Sequence, residues 1–160
     1  MLIILARHAD RETLTTRPDS EQVLTEKGIQ QAVQLGQALD RRLAVQGGRV
    51  SLVLTSPYQR AVQTAQLMAQ EMGLPAESVQ TLQALAPDGE GSVHETLQAV
   101  TETEHHGVIV VGHGPDLAAL ADRLCGQAVE LKKAHSLGIE RDAERHIGRL
   151  VWLVSYKDYL

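Results

Sequence analysis

The chain has 160 residues, 43% of them apolar, 22% charged and 2% aromatic with no Phe, and it carries a net charge of −5. That length suits one ordinary domain, expected over residues 1–160, with a core built from Leu, Val, Ile and Ala. The acidic balance argues against nucleic acid as partner, because phosphate backbones are bound through clustered excess Lys and Arg. The single cysteine, Cys125, excludes an intramolecular disulfide and a thiolate metal cluster, and reads as a small buried hydrophobe. MLIILA is interrupted by Arg7 far short of a signal or membrane-spanning length, so a cytoplasmic protein with no membrane partner is expected.

In chain order, residues 1 to 7 read as a buried strand that ends abruptly in Arg7 and His8. Ile29, Ala32, Leu35, Leu39 and Leu43 then recur at helical spacing, with Thr25 as N-cap and Gly47-Gly48 ending the pattern. VSLVLT at 50 to 55 is a second aliphatic strand. It leads into a helix with Ala61, Val62, Ala65 and Met68 on one face, stopped by Gly73 with Pro75 beyond. Residues 92 to 104 suggest a third helix, GVIVVG at 107 to 112 a third strand, and PDLAALADRLCG at 115 to 126 a fourth helix with Pro115 in its first turn. SLGIERD and GRLVWLVS read as an antiparallel hairpin at the sheet edge. The expected fold is α/β: a three-layer α/β/α sandwich on a mostly parallel sheet with a C-terminal antiparallel hairpin.

In open sheets of this kind ligands bind beyond the carboxyl ends of the strands. Arg7-His8, Ser56-Pro57 and Gly112-His113-Gly114 all fall on that edge, and Arg60 lies in the first turn of the helix after Ser56, where a helix N-terminus already favours an anion. A neutral imidazole is a competent nucleophile toward phosphorus when the phosphate charge is held by guanidinium forks. Singly, a histidine at a strand end or an arginine in a first helical turn has a bland structural explanation. Together they point to phosphoryl chemistry, with His8 attacking and Arg7, Arg60 and His113 stabilising the transferring group.

LARHAD, LTEKGIQQA, TSPYQRAVQTA and VGHGPDLAALADRLCG, in that order, resemble the segments of the histidine phosphatase superfamily, which includes the phosphoglycerate mutases. The last segment, and LKKAHSLGIE after it, are similar to the short, SixA-like phosphohistidine phosphatases. The resemblance implies a phosphoglycerate mutase-like fold, with His8 as the phosphate-accepting nucleophile, Arg7 and Arg60 binding phosphate, and His113, beside Gly114, completing the pocket. It also implies a phosphohistidine intermediate, no metal and no cofactor. The substrate it implies is a phosphorylated protein bearing phosphohistidine, or else a small phosphorylated metabolite.

Two departures stand out. The short group often carries Arg-Pro where this chain has Gln22-Val23, which leaves Arg11 and Arg17 as candidates for the extra phosphate-binding arginine. Larger relatives acting on esters supply a carboxylate to protonate the alkoxide. The candidates here are Asp88, Glu90 and Glu95, each with a solvated or helix-start position as its simpler explanation. An open pocket with a weak acid suits a phosphoramidate, whose imidazole leaves more readily. The alternatives are a small-molecule phosphate-ester phosphatase using one of those carboxylates, and a phosphate-binding module without catalysis. His94, His105, His106, His135 and His146 show no metal-ligand spacing and read as surface.

Overall fold

The computed structural model describes residues 1–159. Its six strands lie in the order β3-β2-β4-β1-β5-β6. The first, β1 (Leu2–Arg7), pairs in parallel with β4 (Gly107–Gly112), which pairs in parallel with β2 (Leu52–Thr55), and β2 in turn with β3 (Val79–Thr81). On the other side of β1, β5 (His135–Asp142) and β6 (Ile147–Ser155) run antiparallel as the expected hairpin.

Alternation along the strands builds two separate cores. Leu2, Ile4 and Ala6 of β1, with Val53, Ile109 and Val111, pack against α1 (Glu26–Gln46) and α2 (Gln59–Glu71) through Leu35, Leu39, Ala65 and Met68. Ile3 and Leu5, with Leu54, Val108 and Val110, face the opposite layer, where α3 (Val93–Thr101) and α4 (Gly114–Cys125) contribute Val100, Leu117, Leu120 and Leu124. Strands buried on both faces need continuous aliphatic sequence, and LIILA and VIVV supply it. This is the α/β/α sandwich expected.

Helix boundaries follow local chemistry. Thr25 Oγ1 accepts from Gly28 N to cap α1, and Gly47 ends that helix in the left-handed conformation, as Gly126 ends α4. Several expectations shift. The second strand starts at Leu52 rather than 50, and the third helix ends at Thr101 rather than 104. Ile29 is exposed, because it sits a turn before the face that meets the sheet. β3 did not register in the sequence: it is a three-residue edge strand reading VQT, with too few apolar positions to show a period. Cys125 is half-buried, its Sγ donating to Ala121 O. Among the described residues no helix is long and apolar enough to cross a membrane.

Candidate active site

Parallel β1 and β4 lie side by side in register, Arg7 opposite Gly112, so the residues that follow them emerge together at one edge. His8 N donates to Gly112 O at 3.1 Å, and Ser56 N, one residue past β2, donates to Val111 O at 3.0 Å. Three chain segments thus leave the sheet held to one another by backbone hydrogen bonds. The cavity there, of about 300 Å³, is lined by Arg7, His8, Arg11, Asp19, Arg60, Asp88, His113, Gly114 and Asp116.

His8 and His113 are both buried, with ring centres 5.2 Å apart. His8 Nδ1 lies 2.8 Å from Ala9 O; a carbonyl only accepts, so Nδ1 carries the proton and Nε2 keeps its lone pair. Burial is the main cause that lowers its pKa to about 4, with Arg60 and Arg7 adding to the effect against the Ala9 hydrogen bond. His113 Nε2 shares a 2.9 Å hydrogen bond with Ser56 Oγ, and burial followed by the neighbouring His8 lowers its pKa to about 3. Both rings are uncharged at neutral pH.

The guanidinium groups are held from outside the cavity. Arg7 Nη1 donates to Leu131 O at 3.0 Å, while the Arg60 guanidinium lies over the Tyr58 ring, whose edge meets His113. Arg60 is buried and its pKa lowered by that desolvation, partly offset by Asp19. The Nε atoms of Arg7 and Arg60 are buried without a hydrogen-bond partner among the described residues.

Asp19 sits on a short 3₁₀ turn, Asp19–Glu21, and meets two of the three cavity arginines, Arg11 and Arg60. Its backbone O accepts from Arg60 Nη1 at 2.8 Å, and its carboxylate pairs with Arg11 at 2.9 Å and with Arg60 at 3.4 Å. Arg11 also donates to Gln22 Oε1, which helps hold Arg11 where it lines the cavity. Arg17 is exposed, pairs with Glu12 at 3.7 Å and does not line the cavity.

The floor of the loop is fixed with equal care. Ala9 N donates to Thr64 Oγ1, and Thr64 Oγ1 donates to Arg60 O, which ties the residue after His8 to α2. Asp10 accepts from Thr25 Oγ1 and Lys133 Nζ, and the Thr25 bond is the main cause of its lowered pKa. A Cβ at Gly28 would lie 2.0 Å from Asp10 O, so only glycine lets α1 start against this loop.

The structure therefore brings Arg7, His8, Arg60, His113, Gly114, Arg11 and Asp88 to one cavity. Glu90 lies outside the lining and accepts from the Tyr58 hydroxyl at 3.1 Å. Glu95 is exposed in the first turn of α3, where its N–H is capped by Ser92, and it too lies outside the lining. Asp19, Tyr58 and Asp116 were not singled out from the sequence. Tyr58 carries a signal in its place just before α2 and Asp116 one in the first turn of α4, three residues after His113, whereas Asp19 reaches the site only through the folding of a loop. His94, His105, His106 and His146 are exposed; His135 is half-buried, its Nδ1 bonded to Lys133 O and its ring against Tyr156.

The profile of the histidine phosphatase superfamily (branch 1) matches residues 3–86. The phosphohistidine phosphatase SixA of Escherichia coli (strain K12) is 32% identical over 126 residues, which cover 78% of this chain and 74% of that protein. A structure of the protein histidine phosphatase SixA complexed with tungstate is similar with a TM-score of 0.83 and 26% identity, covering 99% of both chains. The alpha-ribazole phosphatase of Shigella flexneri shares the fold at a TM-score of 0.75 and 21% identity, over 98% of this chain and 97% of that one. With its segments in family order and its two histidines meeting at the end of the central strands, the chain belongs to the histidine phosphatase superfamily.

Proposed function

We propose that this phosphatase acts through a phosphohistidine intermediate on His8, and that its substrate class is phosphohistidine on a protein. The observation that carries the reading is one cavity holding an uncharged imidazole with a free Nε2 lone pair beside two arginines whose buried Nε donors lack partners. A buried unpaired donor is unfavourable by about 1–3 kcal/mol, and an oxyanion between the guanidiniums relieves it. The similar SixA structure is a complex with tungstate, a tetrahedral oxyanion, which supports an oxyanion as ligand.

On this reading His8 Nε2 attacks phosphorus while Arg7, Arg60 and Arg11 hold the phosphoryl oxygens, and His113 adds a neutral hydrogen-bonding group to the same oxygens. Nδ1–H, anchored on Ala9 O, stays in place as the ring becomes positively charged. Water then attacks the phosphohistidine and frees His8. No metal is required by these steps. A second reading, hydrolysis of small phosphate esters, draws on the carboxylates of Asp88 and Asp116 in the cavity lining, which place an acid within reach of a poorer leaving group.

The deciding experiment is turnover of phosphohistidine peptides and a panel of phosphate esters by one preparation of the wild-type chain and of His8→Ala. Loss of turnover and of acid-labile phosphoenzyme together in the variant, with phosphohistidine preferred by the wild type, is expected. Retained turnover by His8→Ala overturns the mechanism, and a preference for esters overturns the substrate class.

A further inference from the structure

Five carboxylates lie in or around the cavity, and their partners separate them. Asp19 is held by Arg11 and Arg60, Glu90 by Tyr58, and Asp10 by Thr25 and Lys133. Asp88 and Asp116 line the cavity, and neither carboxylate has a hydrogen bond or ion pair among the described residues. They approach it from two elements: Asp116 from the first turn of α4, three residues after His113, and Asp88 from a turn in which Asp88 and Gly89 both take positive φ, 59° and 81°. Asp88 is exposed and Asp116 half-buried.

We propose that Asp116 is a further catalytic residue of this site, giving a proton to the departing imidazole and then taking one from the attacking water, with Asp88 setting its readiness to do so. The inference rests on His8 as nucleophile. Its ground is position: Asp116 is the half-buried, unpaired carboxyl in the wall that already carries His113 and Gly114. Burial, then the charge of Asp88, raise the pKa of this carboxyl, which favours its protonated form. His8 and His113 are uncharged near neutrality and have no proton to give as acids. The remaining charged groups lining the cavity are Arg7, Arg11 and Arg60, which favour the carboxylate, and Asp19, whose charge Arg11 and Arg60 take up.

The steps balance. The Asp116 carboxyl transfers its proton to the ring nitrogen of the substrate imidazole that does not carry phosphorus. His8 Nε2 forms its bond to phosphorus as the substrate N–P bond breaks, and the imidazole leaves neutral. His8 is then an N-phosphorylated ring with Nδ1 still protonated, and Asp116 is a carboxylate. Water adds to phosphorus, the Nε2–P bond breaks with its electron pair returning to Nε2, and the proton lost by water restores Asp116. The products are hydrogen phosphate and the starting enzyme.

Rapid-quench measurement of phosphoenzyme formation tests this with a phosphohistidine peptide and with p-nitrophenyl phosphate, whose leaving group needs no proton. Asp116→Asn is expected to slow formation by about 10²- to 10³-fold with the peptide and by less than about tenfold with the aryl ester. The wild-type rate with the peptide is expected to fall as pH rises through the carboxyl's titration. That limb is lost in Asp116→Asn, retained in part in Asp116→Glu, and moved to lower pH in Asp88→Asn, since removing a neighbouring negative charge lets the proton go more easily. Equal losses with both substrates, or a limb that Asp88→Asn leaves in place, overturn the inference. Both can occur while His8→Ala remains inactive, in which case the nucleophile stands and only the acid is lost; turnover by His8→Ala removes the nucleophile itself.

Discussion

His8 and His113 lie within ring contact of one another because neither is charged, and the same fact makes the fold sensitive to acid. In the unfolded chain each imidazole takes a proton near pH 6.5, whereas in the folded chain His8 does so only at about 4 and His113 at about 3. Below pH 6.5 the unfolded state therefore binds more protons, and stability falls as pH falls toward those folded values. From His8 alone the loss approaches about 3 kcal/mol. Urea midpoints are expected to stay level from pH 8 to 7 as far as these groups act, then to drop between pH 6.5 and 4, with a shallower drop in His113→Asn. At this scale the sequence marks out Arg7, His8, Arg60 and His113, which line one cavity, because each stands at a strand end or a helix start that periodicity locates. Asp116 stayed hidden, since an acid in a first helical turn has an ordinary electrostatic explanation and only the fold brings it to the same cavity as Asp88.

At the scale of elements, the loop from Ala9 to Val23 is positioned by α1 as much as by β1. Gly28→Ala is expected to destabilise the fold by about 2–3 kcal/mol, measured by urea unfolding, because its Cβ would meet Asp10 O at 2.0 Å and the backbone must move. Phosphoenzyme formation is expected to slow as well, since the strand of chain displaced includes Ala9, whose O holds the His8 ring. The central strands and the long helices were legible because burial on both faces writes itself as LIILA and VIVV, and burial on one face as a helical period. β3 and the 3₁₀ turn at Asp19–Glu21 were not, being three residues each with polar sequence. The sequence offers both Arg11 and Arg17 for the cavity, and the choice of Arg11 depends on its contacts with Gln22 and Asp19, which no periodicity shows.

Across the whole molecule, the sheet order places β4 and β1 together at the centre and so delivers both histidines at a single edge, while the hairpin of β5 and β6 widens the sheet away from that edge. The net charge of −5 means that the long-range field does not draw phosphate in, and attraction falls to the few cations of the cavity. Two of those cations, Arg11 and Arg60, are already engaged by the chain's own Asp19. On the proposed mechanism an incoming phosphoryl group would meet an exchange rather than an addition: it would take over arginine contacts that a carboxylate gives up, and the carboxylate would reclaim them when orthophosphate departs. Asp19→Asn is accordingly expected to strengthen inhibition by orthophosphate about tenfold, near 1.4 kcal/mol, and to slow product release. Asp19 behaves as a resident competitor, trading ground-state affinity for the freedom to let the product go.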